Sequence, residues 1–224
     1  MRRKMNRIIG IYIYIFLFSC DLSIDSKKEE KLKSNQGILK IDEYNVIKGN
    51  PLGAKFWKCG HSVTPNFSIC YPKIWKIENQ NVYDFFSYID TVEKDAFFVI
   101  ASYDMGNIEI SQDKFVKESY FTLSQDSIEF LKSSEISKLY FETSSSIYSV
   151  YDVSSQGRTY KIRSMTFENS NTLYDFTLKV ENEESEKYDD LFKDILHNIK
   201  IKGSYHFENQ GKLLQIEKIN PSNL

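Results

Sequence analysis

The chain is poor in the residues that build most active sites. Its 224 residues include three histidines and three cysteines. The histidines are His61, His197 and His206, and the closest pair stands nine positions apart across a helix end. No His-Glu-x-x-His, Gly-x-Ser-x-Gly or glycine-rich phosphate loop occurs. Nine glycines leave little backbone for a phosphate cradle. These absences exclude the common zinc-hydrolase, serine-hydrolase and nucleotide-binding patterns. The expectation is a chain that is not an enzyme, with no catalytic residue, no cofactor and no metal ligand to name. Cys59, His61 and Cys70 do not make a metal site, because they lack a fourth ligand and the usual spacing.

Positive charge is also not in excess. Lys and Arg number 29 against 31 Asp and Glu, a net of −2. Four of the basic residues and none of the acidic ones fall in residues 1–19, so the remainder carries 25 against 31, or −6. That balance argues against nucleic acid as a partner and against electrostatic docking on anionic lipid. No repeat of 20–50 residues is visible. The acidic run Glu181–Glu186 lacks the alternating Asp/Asn spacing of a Ca²⁺ loop. It reads instead as the first turn of a helix, where the dipole favours anions.

What is present is concentrated at the N-terminus. Arg2, Arg3, Lys4 and Arg7 form a basic head, and Ile8 to Phe18 is an uninterrupted apolar run of 11 residues. Ser19 and Cys20 follow. The run is too short to cross a hydrocarbon core of about 30 Å as a helix. It has no polar face, which argues against an ordinary buried helix. A basic head, an apolar run and a small residue define a secretory signal. The cysteine stands where an ordinary cleavage site would end. Leu17-Phe18-Ser19-Cys20 resembles the lipobox of bacterial lipoproteins, with Phe18 bulkier than the residue usually found there. That resemblance implies that Cys20 is acylated and becomes the new N-terminus. Membrane lipid is then the first partner, held through the acylated Cys20, since each buried CH₂ contributes about 0.8 kcal/mol.

Residues 20–50 read as the lipidated cysteine and a flexible tether. Ser23 to Gln36 is charged and free of aromatics, so it cannot bury enough apolar surface to offset its ordering entropy. Ile38, Leu39 and Ile41 leave room for a short strand at its far end. Cys59 and Cys70 face an oxidising compartment if the signal is read correctly, where paired thiols are common. Two strand ends joined by the Gly60–Pro65–Asn66 region bring them within bridging reach. Two buried free cysteines are the other reading.

The folded part, residues 51–202, alternates strand and turn signals. Strands are expected at Phe67–Tyr71, ended by Pro72, which lacks an N–H, then over Lys73–Glu78, Val82–Ile89 and Ala96–Tyr103. A helix is expected over about 112–131, either continuous or broken near Ser124-Gln125-Asp126, with Ser111 as its N-cap and Phe115, Ser119, Thr122, Leu123, Ile128 and Leu131 as a patchy apolar stripe. Strands follow at Leu139–Thr143, Ser146–Ser154, Arg158–Glu168 and Thr172–Val180, with turns at Ser155-Gln156-Gly157 and Asn169-Ser170-Asn171. A closing helix carries Tyr188, Leu191, Phe192, Ile195, Leu196 and Ile199 at three- and four-residue spacing. Residues 203–224 read as a polar tail, disordered or adding an edge strand. The fold class is α+β, an antiparallel sheet with helices packed on it.

Three pieces together resemble the PsbP-like superfamily: Phe67-Ser68-Ile69-Cys70-Tyr71-Pro72-Lys73-Ile74-Trp75, Leu173-Tyr174-Asp175-Phe176-Thr177-Leu178, and Asp190-Leu191-Phe192-Lys193-Asp194-Ile195-Leu196. The resemblance covers about residues 55–202. It implies an αβα sandwich and no shared active site. Members include an extrinsic photosystem II subunit, a Ran-binding nuclear transport factor and bacterial lipoproteins. Trp75 reads as a plug between sheet and helix, or else as a ligand-stacking ring.

The function expected from all this is a membrane-anchored envelope lipoprotein, periplasmic or surface-exposed, with a non-catalytic domain that binds an envelope protein or supports assembly. The alternative is a binder of a small apolar or carbohydrate ligand at a pocket of aromatics such as Phe85, Phe86, Tyr88, Phe97 and Phe98. Strand alternation allows about half of these to share one face.

Overall fold

The computed structural model describes residues 40–42, 57–62, 66–78, 83–89, 96–106, 110–125 and 129–221. The leader, Cys20 and most of the tether lie outside the described residues, as does the loop expected at 90–95. In chain order the elements are β1 (Lys40–Asp42), β2 (Trp57–Ser62), β3 (Phe67–Pro72), β4 (Lys76–Ile77), β5 (Phe85–Tyr88) and β6 (Phe97–Asp104). Helix α1 (Gln112–Gln125) precedes β7 (Glu129–Phe141), β8 (Ser145–Ser155), β9 (Arg158–Asn169) and β10 (Thr172–Glu181). Then come α2 (Ser185–His197), β11 (Lys200–Ile201), β12 (Ser204–Tyr205), α3 (His206–Asn209) and β13 (Leu213–Ile219).

An eight-stranded antiparallel sheet in the order β13-β7-β8-β9-β10-β6-β5-β4 forms the middle layer. Its long hairpins are set by turn chemistry. Gln156 and Gly157 have φ of 49° and 81°, and Ser170 and Asn171 have 48° and 65°. Two consecutive positive φ values match the right-handed strand twist, which is why two-residue hairpins use them. A Gly-containing turn and an Asn-containing turn, as the sequence indicates, stand at those corners.

Helix α1 covers one face of the sheet. The other face is covered by α2 and by a small sheet in the order β1-β2-β3-β11-β12. Two cores result. One lies between α1 and the sheet and includes Phe115, Val116, Leu123, Tyr151, Ile162 and Leu173. The larger lies between the sheet and the α2 layer and includes Trp57, Phe98, Phe167, Phe176, Phe192 and Ile195. Trp75 is 5 % exposed in this second core, with its ring 5.6 Å from that of Phe98. It therefore fills the sheet–helix space rather than presenting a stacking face to solvent.

Two sequence expectations change in extent. The helix read over about 112–131 ends at Gln125, at the break marked near Ser124-Gln125-Asp126. Thr122 and Ser124 return their hydroxyls to the carbonyls of Glu118 and Phe121, both at 2.8 Å, a local bonding mode that weakens a helix end. Leu131, counted in the helical stripe, belongs to β7, a strand of 13 residues where five were expected. Pairing of β7 with β8 along most of its length overrides a poor local pattern. β1 pairs Lys40 with His61, the short strand left open at the far end of the tether, and β13 pairs with β7, the edge-strand reading of residues 203–224.

Cys59 and Cys70 stand directly opposite in the β2–β3 pair and are joined by a disulfide, with Cα atoms 4.0 Å apart. The bridge closes a loop with a sequence separation of 11. Its removal by Cys59→Ser with Cys70→Ser is expected to lower stability by about 2–3 kcal/mol through the unfolded chain. Urea unfolding of the two forms measures it, and an unchanged midpoint contradicts the assignment.

Candidate functional site

The site is assembled from one face of the central strands. Alternation along β10 sends Leu173, Asp175, Thr177 and Lys179 toward α1, and Tyr174, Phe176, Leu178 and Val180 toward α2. The register places Thr166 opposite Asp175 and Ser164 opposite Thr177 on β9, with Ala101 opposite Asp175 on β6. A carboxyl thus lies on the middle of a buried sheet face, ringed by hydroxyls. Ser164 Oγ and Thr166 Oγ1 donate to Asp175 Oδ1 at 2.5 and 2.9 Å, and Thr177 Oγ1 donates to Oδ2 at 2.8 Å.

Helix α1 roofs this floor. Ser111 caps it, its Oγ accepting from the Lys114 N–H at 3.3 Å. Gln112 ties the first turn to the sheet: its N–H donates to Glu168 Oε1 at 3.0 Å and its Nε2 donates to the Ser145 carbonyl at 3.1 Å. Asp113 pairs with Lys138 of β7 at 2.9 Å. These anchors hold Phe115, Val116, Ser119 and Leu123 over the floor. The roof does not close completely, and a partly enclosed cavity of about 70 Å³ remains beneath it. Tyr83, Tyr103 and Tyr151 complete its walls.

Burial pushes the Asp175 carboxyl above the usual carboxylate range, and the three hydroxyl bonds pull it partway back. Burial also raises the Tyr151 phenol well above its ordinary value. Both directions follow from desolvation, which penalises the charged form. Lys179, 6 % exposed, places its Nζ over the rings of Tyr160 at 4.4 Å and Phe97 at 5.7 Å.

The residues singled out by sequence do not converge here. Phe85 and Phe98 sit in the core on the α2 side. Phe86, Tyr88 and Phe97 pack together in a small cluster of their own. None of the five lines the cavity. A strand pair sends its aromatics to both faces, so the run could not build one pocket. The histidines are dispersed: His61 in β2, His197 at the end of α2, His206 buried at the start of α3. Among the described residues no three His, Cys, Asp or Glu side chains are grouped to hold a metal ion. Sequence reading missed Asp175. The signal was present, because a carboxylate in a strand covered on both faces has to be buried.

No protein-family model matches the chain, and no curated protein matches it. Among solved structures it is similar to the cyanobacterial PsbP (CyanoP) of Synechocystis sp. PCC 6803, at 11 % identity and a TM-score of 0.53, covering 68 % of this chain and 96 % of that one. A second similar structure is LpqN of Mycobacterium tuberculosis, described as involved in cell envelope biogenesis, at 14 % identity and a TM-score of 0.43, covering 72 % and 91 %. The architecture is a sheet-dominated α+β fold of the PsbP-like kind.

Proposed function

We propose that this chain is a lipid-anchored envelope protein whose folded domain is a non-catalytic module for binding another envelope protein. Residues 1–19 act as a secretory signal, and acylated Cys20 holds the domain at a bacterial membrane. Among the described residues no helix is long and apolar enough to cross a membrane.

The observation that carries the binding role is the edge strand β13. It ends the main sheet, and no strand among the described residues pairs with its outer side. Soluble proteins usually blunt such an edge with charge or cover it. Here Leu213, Leu214 and Ile216 are 47 %, 65 % and 58 % exposed. An extended segment of a partner added to β13 would gain main-chain hydrogen bonds and bury these side chains.

Two measurements test the reading. Fatty-acid labelling is expected for the wild type and absent from Cys20→Ala. Crosslinking in intact envelope is expected to recover a discrete partner that Leu214→Asp with Ile216→Lys reduces at least about tenfold. Unlabelled wild-type protein removes the anchor from the proposal, and identical recovery by the edge variant removes the binding surface.

A further inference from the structure

We infer that the cavity between α1 and the sheet is a binding site for a small organic cation, a primary or secondary ammonium group, held by Asp175. This site is separate from β13, and either can fail without the other.

The first ground is the acid itself. An ionised carboxylate takes about four hydrogen bonds. Asp175 receives three, two on Oδ1 and one on Oδ2, and makes no ion pair among the described residues. One acceptor position on Oδ2 is open, on a side chain that lines the cavity. The hydroxyls donate to the ionised acid and shape a place for negative charge, while burial favours the neutral acid until a cation compensates it. Core positions on a sheet face are ordinarily apolar, and an unneutralised carboxylate there destabilises the fold. A cation within about 4–6 Å reverses that penalty.

The second ground is the wall. Tyr83, Tyr103, Phe115 and Tyr151 surround the cavity, and aromatic faces attract cations through their quadrupoles. Anions find no such wall, and they meet a carboxylate. The cation that lines the same cavity, Lys179, already has its ammonium over Tyr160 and Phe97. It stands four residues along the strand from Asp175, about 13 Å at the strand rise.

The third ground is size. A volume of about 70 Å³ is roughly half of an engineered cavity that accepts benzene. About four non-hydrogen atoms fit, which excludes a sugar ring and admits an alkylammonium group. A longer ligand can place its head here and leave through the open side.

The test uses the full-length chain with isotope-labelled aspartate and methyl groups, titrated by NMR with isopropylammonium and, separately, with its neutral isostere isopropanol. Both probes have the same number of heavy atoms and the same shape. The expected result is that isopropylammonium shifts the Asp175 carboxyl and the methyls of Val99, Val116 and Ile162. Four heavy atoms limit the dissociation constant to no tighter than about 40 μM. The cation should bind at least about tenfold more tightly than isopropanol. Asp175→Asn should erase that preference, while Leu214→Asp in β13 should leave it unchanged. If Asp175→Asn does not fold, the wild-type comparison of the two probes decides alone. Equal binding of the two probes, or no shift at cavity residues by about 50 mM cation, overturns the inference.

Discussion

Replacing Phe98 by alanine is expected to lower the free energy of unfolding by about 3–5 kcal/mol. Phe98 stands in β6, between β5 and β10, and none of its surface reaches solvent. Its ring contacts those of Trp75, Phe85 and Phe192 at centroid distances of 5.6, 5.9 and 6.3 Å. Those neighbours come from the β3–β4 connection, from β5 and from α2, so the ring joins three elements. The loss combines two terms. Folding removes less apolar area from water when the side chain is smaller, and a cavity persists because the walls belong to hydrogen-bonded strands that cannot collapse. Ile74→Ala is the control. Ile74 is 79 % exposed, and its truncation should change stability by less than about 0.5 kcal/mol. Denaturant unfolding of both variants measures the difference. A loss below about 1 kcal/mol at Phe98 contradicts its place at the centre of the core.

The second large effect is on pH dependence, where buried His206 and partly buried Asp84 act in opposite directions. His206 is 2 % exposed, its ring stacked on Phe167 at 4.0 Å, with Asn169 Nδ2 and Gln210 Nε2 at 3.4 and 3.3 Å from Nδ1. Burial lowers its pKa from 6.5 to about 4. The folded state therefore prefers neutral imidazole. Its contribution is complete above pH 6.5 and is lost as pH falls toward 4, a change of about 3 kcal/mol.

Asp84 behaves the other way. Burial raises its pKa from 3.8 to about 6, against hydrogen bonds from Ser102 that lower it. The folded state prefers the protonated acid. Its contribution is complete below pH 3.8 and is lost as pH rises through 6. The two slopes oppose each other over the same interval. Comparison with single variants separates them. The stability of wild type relative to His206→Phe should rise by about 3 kcal/mol from pH 4 to pH 6.5. Asp84→Asn should gain on wild type over the same range and be more stable at pH 7. Parallel profiles for either variant and the wild type would show that the group is not buried as described.

Much of the scaffold was legible in the chain. The Gln156-Gly157 and Ser170-Asn171 corners, the strands between them and the apolar stripe of α2 all follow from local rules, because turn chemistry and a 3.6-residue period act over a few neighbours. Pro72 ends β3 where its missing N–H predicts. The candidate site was not legible in the same way. Asp175 stands within a hydrophobic strand pattern, but its isolation depends on α1 covering that face, and α1 has only a patchy apolar stripe. The aromatics Phe85, Phe86, Tyr88, Phe97 and Phe98 divide between two faces, as alternation requires, but what each face meets is not local information. An edge strand was one of two readings of residues 203–224, but that β7 is the partner of β13 is equally non-local.

What the sequence alone determined is therefore the local grammar: the hairpins, the closing helix and an α+β class. The tertiary structure decided which side of each strand is inside. It brought Ser164, Thr166 and Thr177 around one carboxyl, left a cavity above it, and exposed one apolar edge. The physical reason is that strand alternation assigns side chains to two faces, while only the packing of distant elements decides what each face meets.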